Sequence, residues 1–285
     1  MKVTEKIKAQ KPCLSFEVFP PKTGDFFESV NAAISQIADL SPDFMSVTYG
    51  AGGGTSEFTA KIAAEVNQKG VTALAHLTCV SSSKEKIRRQ LDLLKKLQVE
   101  NILALRGDYP EGQRPKNPDY RYAYELAAEI RNYGGFCIGG ACYPEGHPES
   151  AGSARDIEYL KIKIGYGCEF LTTQMFFDNN IYYNFLYRLL RAGVDVPVVA
   201  GIMPVTNAAQ IKRIAAISGN ALPQKFLRIV ERYQDQPEAM TQAGIAFATE
   251  QIIDLYANGV NAVHVYSMNK PDVARRIQEN LKGIV

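Results

Sequence analysis

Short apolar runs rich in β-branched and aromatic residues recur along the chain every 25 to 35 residues, and most of the intervals between them repeat their apolar positions at helical spacing. The runs begin at Leu14 (LSFEVF), Phe44 (FMSVTY), Thr72 (TALAHLTC), Asn101 (NILALR), Phe136 (FCIGGACY), Phe170 (FLTTQMFF), Val196 (VPVVAGIM) and Ala262 (AVHVYSM). Each is short enough for a buried strand. Between them, Val30, Ile34, Ile37 and Leu40, and again Ile87, Leu91, Leu94 and Leu97, fall at steps of three and four, as one face of a helix requires. Strands alternating with helices imply right-handed crossovers and a parallel sheet, and eight such strands close into an α/β barrel of the (β/α) TIM type. An open doubly wound sheet is the second choice. The last interval is longer, because 207–218 and 240–258 both read as helix around the stretch 219–237; this predicts a helical insertion before the eighth strand.

At 285 residues the chain could hold two domains, yet a barrel of this kind uses about as much, so residues 1–285 are read as a single domain. A 46% apolar and 22% charged composition supplies a core without metal or disulfide staples. The net charge of +2 is too small to draw the molecule to nucleic acid or to an anionic membrane. Five cysteines, at 13, 79, 137, 142 and 168, form no C-x-x-C pair and leave one over, which suits reduced, buried thiols in the cytoplasm. The N-terminal MKVTEKIKAQK runs into no apolar segment of the kind a secretory signal needs, and no run approaches the length of a membrane span.

In such barrels chemistry gathers where the strands end. Glu17 lies in SFEVFPP between Phe16, Val18 and Phe19, so desolvation would raise its pKa and suit it to general-acid work; a core ion pair is the other reading. Thr48 and Tyr49 end the second strand and His76 the third. Arg106, Gly107 and Asp108 follow the fourth, Tyr143 and His147 stand after the fifth, Gln174 closes the sixth, and Tyr266 and Lys270 follow the eighth. His76, His147 and His264 stand on different strands with no metal-ligand spacing, so no metal site is expected. GAGGGTSE at 50–57 lacks the lysine of a phosphate-binding P-loop and the order of a dinucleotide fingerprint, which leaves it a tight turn open to a ligand. The Pro-rich segment 108–120 reads as a loop.

The segments FEVFPPK, SVTYGAGG, HLTC, LRGD, YPEGHPE, TQMFFD and GIMPVTN, in this order from about residue 14 to 270, resemble methylenetetrahydrofolate reductase of the compact bacterial type. The resemblance implies an eight-stranded barrel with non-covalent FAD and a ping-pong reaction. A reduced nicotinamide, NADH or NADPH, reduces FAD, and 5,10-methylenetetrahydrofolate then becomes 5-methyltetrahydrofolate. It implies Glu17 as the acid that opens the bridging ring and Asp108 as the group that stabilises the cation. It further implies Thr48, His76, Arg106, Gly107, Asp108, Tyr122, Ala123, Tyr143, His147, Asp156 and Lys163 as FAD contacts, Gln174 and Gln210 as pterin contacts, and Lys270 at the folate tail. Departures from the family pattern fall at Lys270, where arginine is common, at Ile214, where a phenylalanine can pack, and at Ser150, Tyr159 and Ile162 near the adenosine end. A homo-oligomer is expected. Two alternatives stand beside this reading: the same folate chemistry with electrons from a partner subunit, and a non-catalytic flavin- or folate-binding barrel.

Overall fold

The computed structural model describes residues 1–9, 11–21, 24–49, 56–109, 118–211, 214 and 221–285. Eight parallel strands close in sequence order into a barrel: β1 (Cys13–Val18), β2 (Phe44–Val47), β3 (Thr72–Thr78), β4 (Asn101–Leu105), β5 (Cys137–Cys142), β6 (Phe170–Thr173), β7 (Val198–Ile202) and β8 (Ala262–Tyr266). All eight apolar runs became strands, and β1 pairs with both β2 and β8 to shut the ring.

The helices follow the predicted faces. In α4 (Lys84–Lys96), Ile87, Leu91 and Leu94 are buried, and Ser83 caps the first turn by accepting the Lys86 backbone N–H at 3.1 Å. In α2 (Phe27–Ala38) the buried face is Ile34, Ile37 and Ala38. The other crossover helices are α3 (Ser56–Gln68), α5 (Ala123–Tyr133), α6 (Ser153–Gly165) and α7 (Asn179–Arg191), the last capped by Asp178, which accepts the Asn180 N–H at 2.9 Å. Before β8 come α8 (Gln224–Tyr233) and the long α9 (Pro237–Ala257), and α10 (Pro271–Leu281) ends the series. The insertion is therefore helical as expected, but the stretch 219–237 carries a helix of its own. Its amphipathic pattern drives Phe226 and Val230 inward, while 207–218 lies only in part among the described residues, with 208–211 helical.

Alternation along the strands separates two cores. Leu14, Phe16, Val18, Met45, Val47, Ala73 and Ala75 pack outward against the helices. Cys13, Phe44, Leu74, Leu103, Cys137, Phe170, Val199 and Ala262 fill the barrel from within. Burying one such Leu or Phe side chain contributes roughly 1.5–3 kcal/mol. The lower end of this inner core is closed by a feature that the sequence pattern left unmarked, the five-residue helix α1 (Val3–Ile7). Val3 and Ile7 join the inner core, and the Val3 N–H donates to Asn101 Oδ1 at 2.8 Å. Among the described residues, the inward positions toward the upper end are polar: Glu17, His76 and His264.

Candidate functional site

Glu17 faces the lumen because it shares the inward side of β1 with Cys13 and Ser15, while Phe16 and Val18 point to the helices. Register sets Glu17 beside Ser46 of β2 and Tyr266 of β8, and sets Ser15 beside His264. The Glu17 Oε2 atom lies 3.7 Å from His76 Nε2 and 4.0 Å from His264 Nε2. Its side chain keeps 23% exposure, enough to reach a molecule at the mouth.

These distances are those of ion pairs, yet both imidazoles are neutral. Burial holds His76 down to about 3, and burial, helped by the nearby His76, holds His264 down to about 3. With no cationic partner among the described residues, burial pushes Glu17 up to about 8, and a hydrogen bond with Ser46 eases it. The result is a carboxyl that carries its proton at neutral pH. Tyr266, driven well above its ordinary range by burial and then by Glu17, donates to Thr173 O at 2.5 Å. Ser267 Oγ donates to Glu17 O at 2.6 Å, and Asn269 exchanges two hydrogen bonds with the Phe19 backbone, so the β8 exit loop clamps the β1 exit.

Beside this cluster, over the ends of β4 and β5, opens a cleft of about 700 Å³. Arg106, Gly107, Asp108, Tyr122, Ala123, Tyr143, His147, Asp156 and Lys163 all line it. Of the residues assigned to the cofactor, Thr48 and His76 are not among its lining: His76 stands by Glu17, and the Thr48 N–H donates to Val18 O at 2.9 Å at the end of β2. Gly107 has φ +77°, and a Cβ there would meet Thr78 Cβ at 2.8 Å, so the turn after β4 requires glycine twice over. A Cβ on Gly140 would lie 2.7 Å from Lys163 Cδ; its absence lets the Lys163 stem run to Ala141 O, to which Nζ donates at 2.6 Å. Burial holds the Lys163 pKa below its usual value.

The cleft walls are braced. Asp156 Oδ2 accepts the His147 backbone N–H at 2.6 Å. His147 Nδ1 accepts the Glu149 N–H at 3.1 Å, which leaves the hydrogen of the neutral ring on Nε2. Arg106 pairs closely with Glu149 and lies 3.8 Å from Asp108, whose side chain is 98% exposed at the rim. Four tyrosine rings stack along one side, Tyr159 on Tyr122, Tyr122 on Tyr124 and Tyr124 on Tyr166, with Arg155 over Tyr159.

The residues assigned to folate sit farther round the mouth. Gln174 follows β6, its Oε1 accepting the Met175 N–H at 3.0 Å. The Gln210 N–H donates to Asn207 Oδ1 at 3.0 Å, and Lys270 Nζ lies 2.6 Å from Thr206 Oγ1, joining the exits of β7 and β8. Sequence reading did not single out Glu149, Ser15 or Ser46. The two serines carried a signal: each is a small polar residue on an inward position of a strand, Ser46 among apolar residues and Ser15 two residues before Glu17. Residues 50–55 and 110–117, from the Gly-rich turn and the Pro-rich loop, lie outside the described residues. Among the described residues no group of three or more His, Cys, Asp or Glu is arranged to hold a metal ion, and no helix is long and apolar enough to cross a membrane.

The family model described as methylenetetrahydrofolate reductase matches residues 2–282. The chain is 34% identical over 270 residues to 5,10-methylenetetrahydrofolate reductase of Pectobacterium carotovorum, covering 94% of this chain and 89% of that protein. It is 32% identical to the protein of that name in Escherichia coli K12, covering 94% and 90%. It is 35% identical to methylenetetrahydrofolate reductase (NADH) 1 of Arabidopsis thaliana, where it spans 99% of its own length and 51% of the relative. Among solved structures, an uncharacterized protein from Clostridium thermocellum that binds two copies of 5-methyl-5,6,7,8-tetrahydrofolic acid shares the fold, with a TM-score of 0.64 at 14% identity and 96% of each chain covered.

Proposed function

Because the chain belongs to the methylenetetrahydrofolate reductase family, we propose that it reduces 5,10-methylenetetrahydrofolate to 5-methyltetrahydrofolate, in one-carbon metabolism and methionine supply. The observation that carries this reading furthest is Glu17: a carboxyl in the barrel mouth, flanked by two neutral imidazoles and raised to about 8, is a proton donor in waiting. Protonating the bridging-ring nitrogen opens the ring to an iminium, and the product carbon must then receive hydride. Non-covalent FAD, when bound, supplies that hydride after reduction by NADH or NADPH in a ping-pong sequence.

The cleft over β4 and β5 suits such a group. Its size, its tyrosine wall and the cationic Arg106 and Lys163 offer a flat surface for rings and charge for a diphosphate. Gly107 brings backbone close without a side chain in the way. Arg106, Gly107, Tyr122, Ala123, Tyr143, His147, Asp156 and Lys163 would hold FAD there, with Thr48 and His76 toward the flavin end. Asp108, exposed on the rim, would stabilise the developing cation. Gln174 and Gln210 would orient the pterin and Lys270 the glutamate tail, at the exits of β6, β7 and β8. The plant relative named for NADH supports a nicotinamide donor. We place the protein in the cytoplasm as a homo-oligomer with no nucleic-acid or membrane partner.

Stopped-flow absorbance tests the proposal on each half-reaction. Purified protein should be yellow and bleach under air-free NADH or NADPH, then recover its colour with methylenetetrahydrofolate. Glu17→Gln should bleach at the parental rate but recover about a hundred- to ten-thousand-fold more slowly. Recovery at the parental rate would make Glu17 a structural carboxylate and overturn the mechanism.

A further inference from the structure

Behind Glu17, three residues the reaction does not touch form a chain whose direction can be worked out. Ser15 Oγ lies 2.9 Å from Val263 O and 2.8 Å from His264 Nδ1. A hydroxyl has one hydrogen and a carbonyl oxygen can only accept, so the Ser15 hydrogen goes to Val263 O and Nδ1 must donate to Ser15. A neutral imidazole that carries its hydrogen on Nδ1 has a bare lone pair on Nε2. Ser46 Oγ stands 2.8 Å from that Nε2 and gives its own hydrogen there. Toward Glu17, Ser46 then presents lone pairs. They accept from a protonated carboxyl and offer nothing to a carboxylate.

We propose that Ser15, His264 and Ser46 form a one-way hydrogen-bond chain, running from Glu17 through Ser46 and His264 to Ser15 and Val263 O, which keeps Glu17 in its proton-bearing form. His264 and Ser15 are positioning residues. The ring is fixed for this task by stacking on Phe44, with centroids 5.4 Å apart at 10°, and by the edge-on ring of Tyr266 at 5.7 Å. The inference rests on Glu17 being the acid. When the Glu17 O–H bond breaks and an N–H bond forms on the substrate, Glu17 becomes a carboxylate, and the Ser46 hydrogen can reach it only by leaving Nε2. The easing influence of Ser46 on Glu17 ionisation is thus available only at the expense of His264. The chain favours taking a proton back, which readies the acid for another turnover. The other titratable groups facing Glu17 do not compete for it: His76 on β3 is neutral, and the hydroxyl of Tyr266 on β8 is committed to Thr173 O.

The test reads tautomer and titration in the purified flavin-bearing protein with no folate present. Two-bond ¹⁵N–¹H spectra of labelled histidine, with His264 assigned by its loss in His264→Phe, should show hydrogen on Nδ1 and none on Nε2. The Glu17 carboxyl, followed by ¹³C and assigned through Glu17→Gln, should titrate with a midpoint that Ser15→Ala lowers by about one pH unit or more, since the released ring can turn its hydrogen to Ser46 and free the Ser46 hydrogen for the carboxylate. His264→Phe should lower it similarly, and Ser15→Thr should restore the parental midpoint. Hydrogen on Nε2 in the parent overturns the chain even if every variant misfolds, and so does a midpoint unmoved in Ser15→Ala and His264→Phe. A Glu17 that titrates as described yet proves dispensable for folate reduction would sink the functional reading and leave the chain standing.

Discussion

Glu17 Oε2 stands 3.7 Å from His76 Nε2, closer than the 4.0 Å that separates it from His264, and neither contact is an ion pair because burial keeps all three groups uncharged at neutral pH. Three groups displaced from their ordinary values make stability depend on pH, and the signs can be followed. Between 4.5 and about 8 the folded chain keeps the Glu17 proton that the unfolded chain releases, so Glu17 lowers stability as pH rises through that window. Between about 3 and 6.5 the unfolded chain binds the protons that buried His76 and His264 refuse, so each imidazole raises stability as pH rises. Two rising contributions outweigh one falling one up to 6.5, and only the falling one continues above it.

The parent should therefore be most stable near pH 6.5 with respect to these groups and should lose about 1 kcal/mol by pH 8, because Glu17 declines toward its midpoint while the unfolded imidazoles finish titrating. Glu17→Gln should remove that alkaline decline and steepen the rise between 4.5 and 6.5, where Glu17 opposes the two imidazoles. Urea denaturation at pH 6.5 and pH 8 measures it; an equal decline in parent and variant would mean that Glu17 is ionised throughout.

Cofactor retention should depend on the cleft wall. His147→Ala combined with Lys163→Ala removes two polar groups from one side of the cleft over β4 and β5. Flavin absorbance after extensive dialysis should fall well below that of the parent, with circular dichroism reporting that the barrel is intact. Full occupancy in a folded double variant would move FAD elsewhere.

Gln174 follows β6, where its backbone N–H donates to Cys142 O at 2.8 Å, and it is not among the residues that line the cleft. Gln174→Ala should weaken folate binding by about tenfold or more, the cost of one lost hydrogen bond of ordinary strength, while nicotinamide bleaches the flavin as before. Equal damage to both half-reactions would end its assignment to the pterin.

Gly107→Ala should destabilise the chain by about 1–3 kcal/mol, since a positive φ and a Cβ 2.8 Å from Thr78 both oppose it. Adding Thr78→Ala should leave both the backbone cost and the 2.8 Å contact with the Thr78 Cβ, which alanine retains, and should relieve only the contacts with Cγ2 and Oγ1 at 3.2 and 3.3 Å. Thermal unfolding of the single and double variants measures the relieved part; complete recovery in the double variant would show that neither the positive φ nor the Cβ contact contributes.

What the sequence determined by itself were features whose signal is local, though the amphipathic helix Gln224–Tyr233 went unread. The eight strands are short apolar runs, and the buried faces of α2 and α4 follow from steps of three and four, because side-chain direction repeats with the backbone of each element alone. Glu17 was legible for the same reason: a carboxyl between aromatic and β-branched neighbours has few places to go. Residues 106–108 and 143–149 were legible as motifs that follow strands. Only the closed barrel decided which inward residues meet. Ser15, Ser46 and His264 lie on three strands and more than two hundred residues apart at the extremes, and they touch because β8 pairs with β1 in one register; a shift of one residue would turn each strand's inward set outward. The plug made by α1, the Arg106–Glu149 pair and the stacking of Tyr159 on Tyr122 have the same origin. A carboxyl's neighbours, and hence its charge, are long-range facts, so the sequence could name Glu17 but only the tertiary structure could set it between two neutral imidazoles.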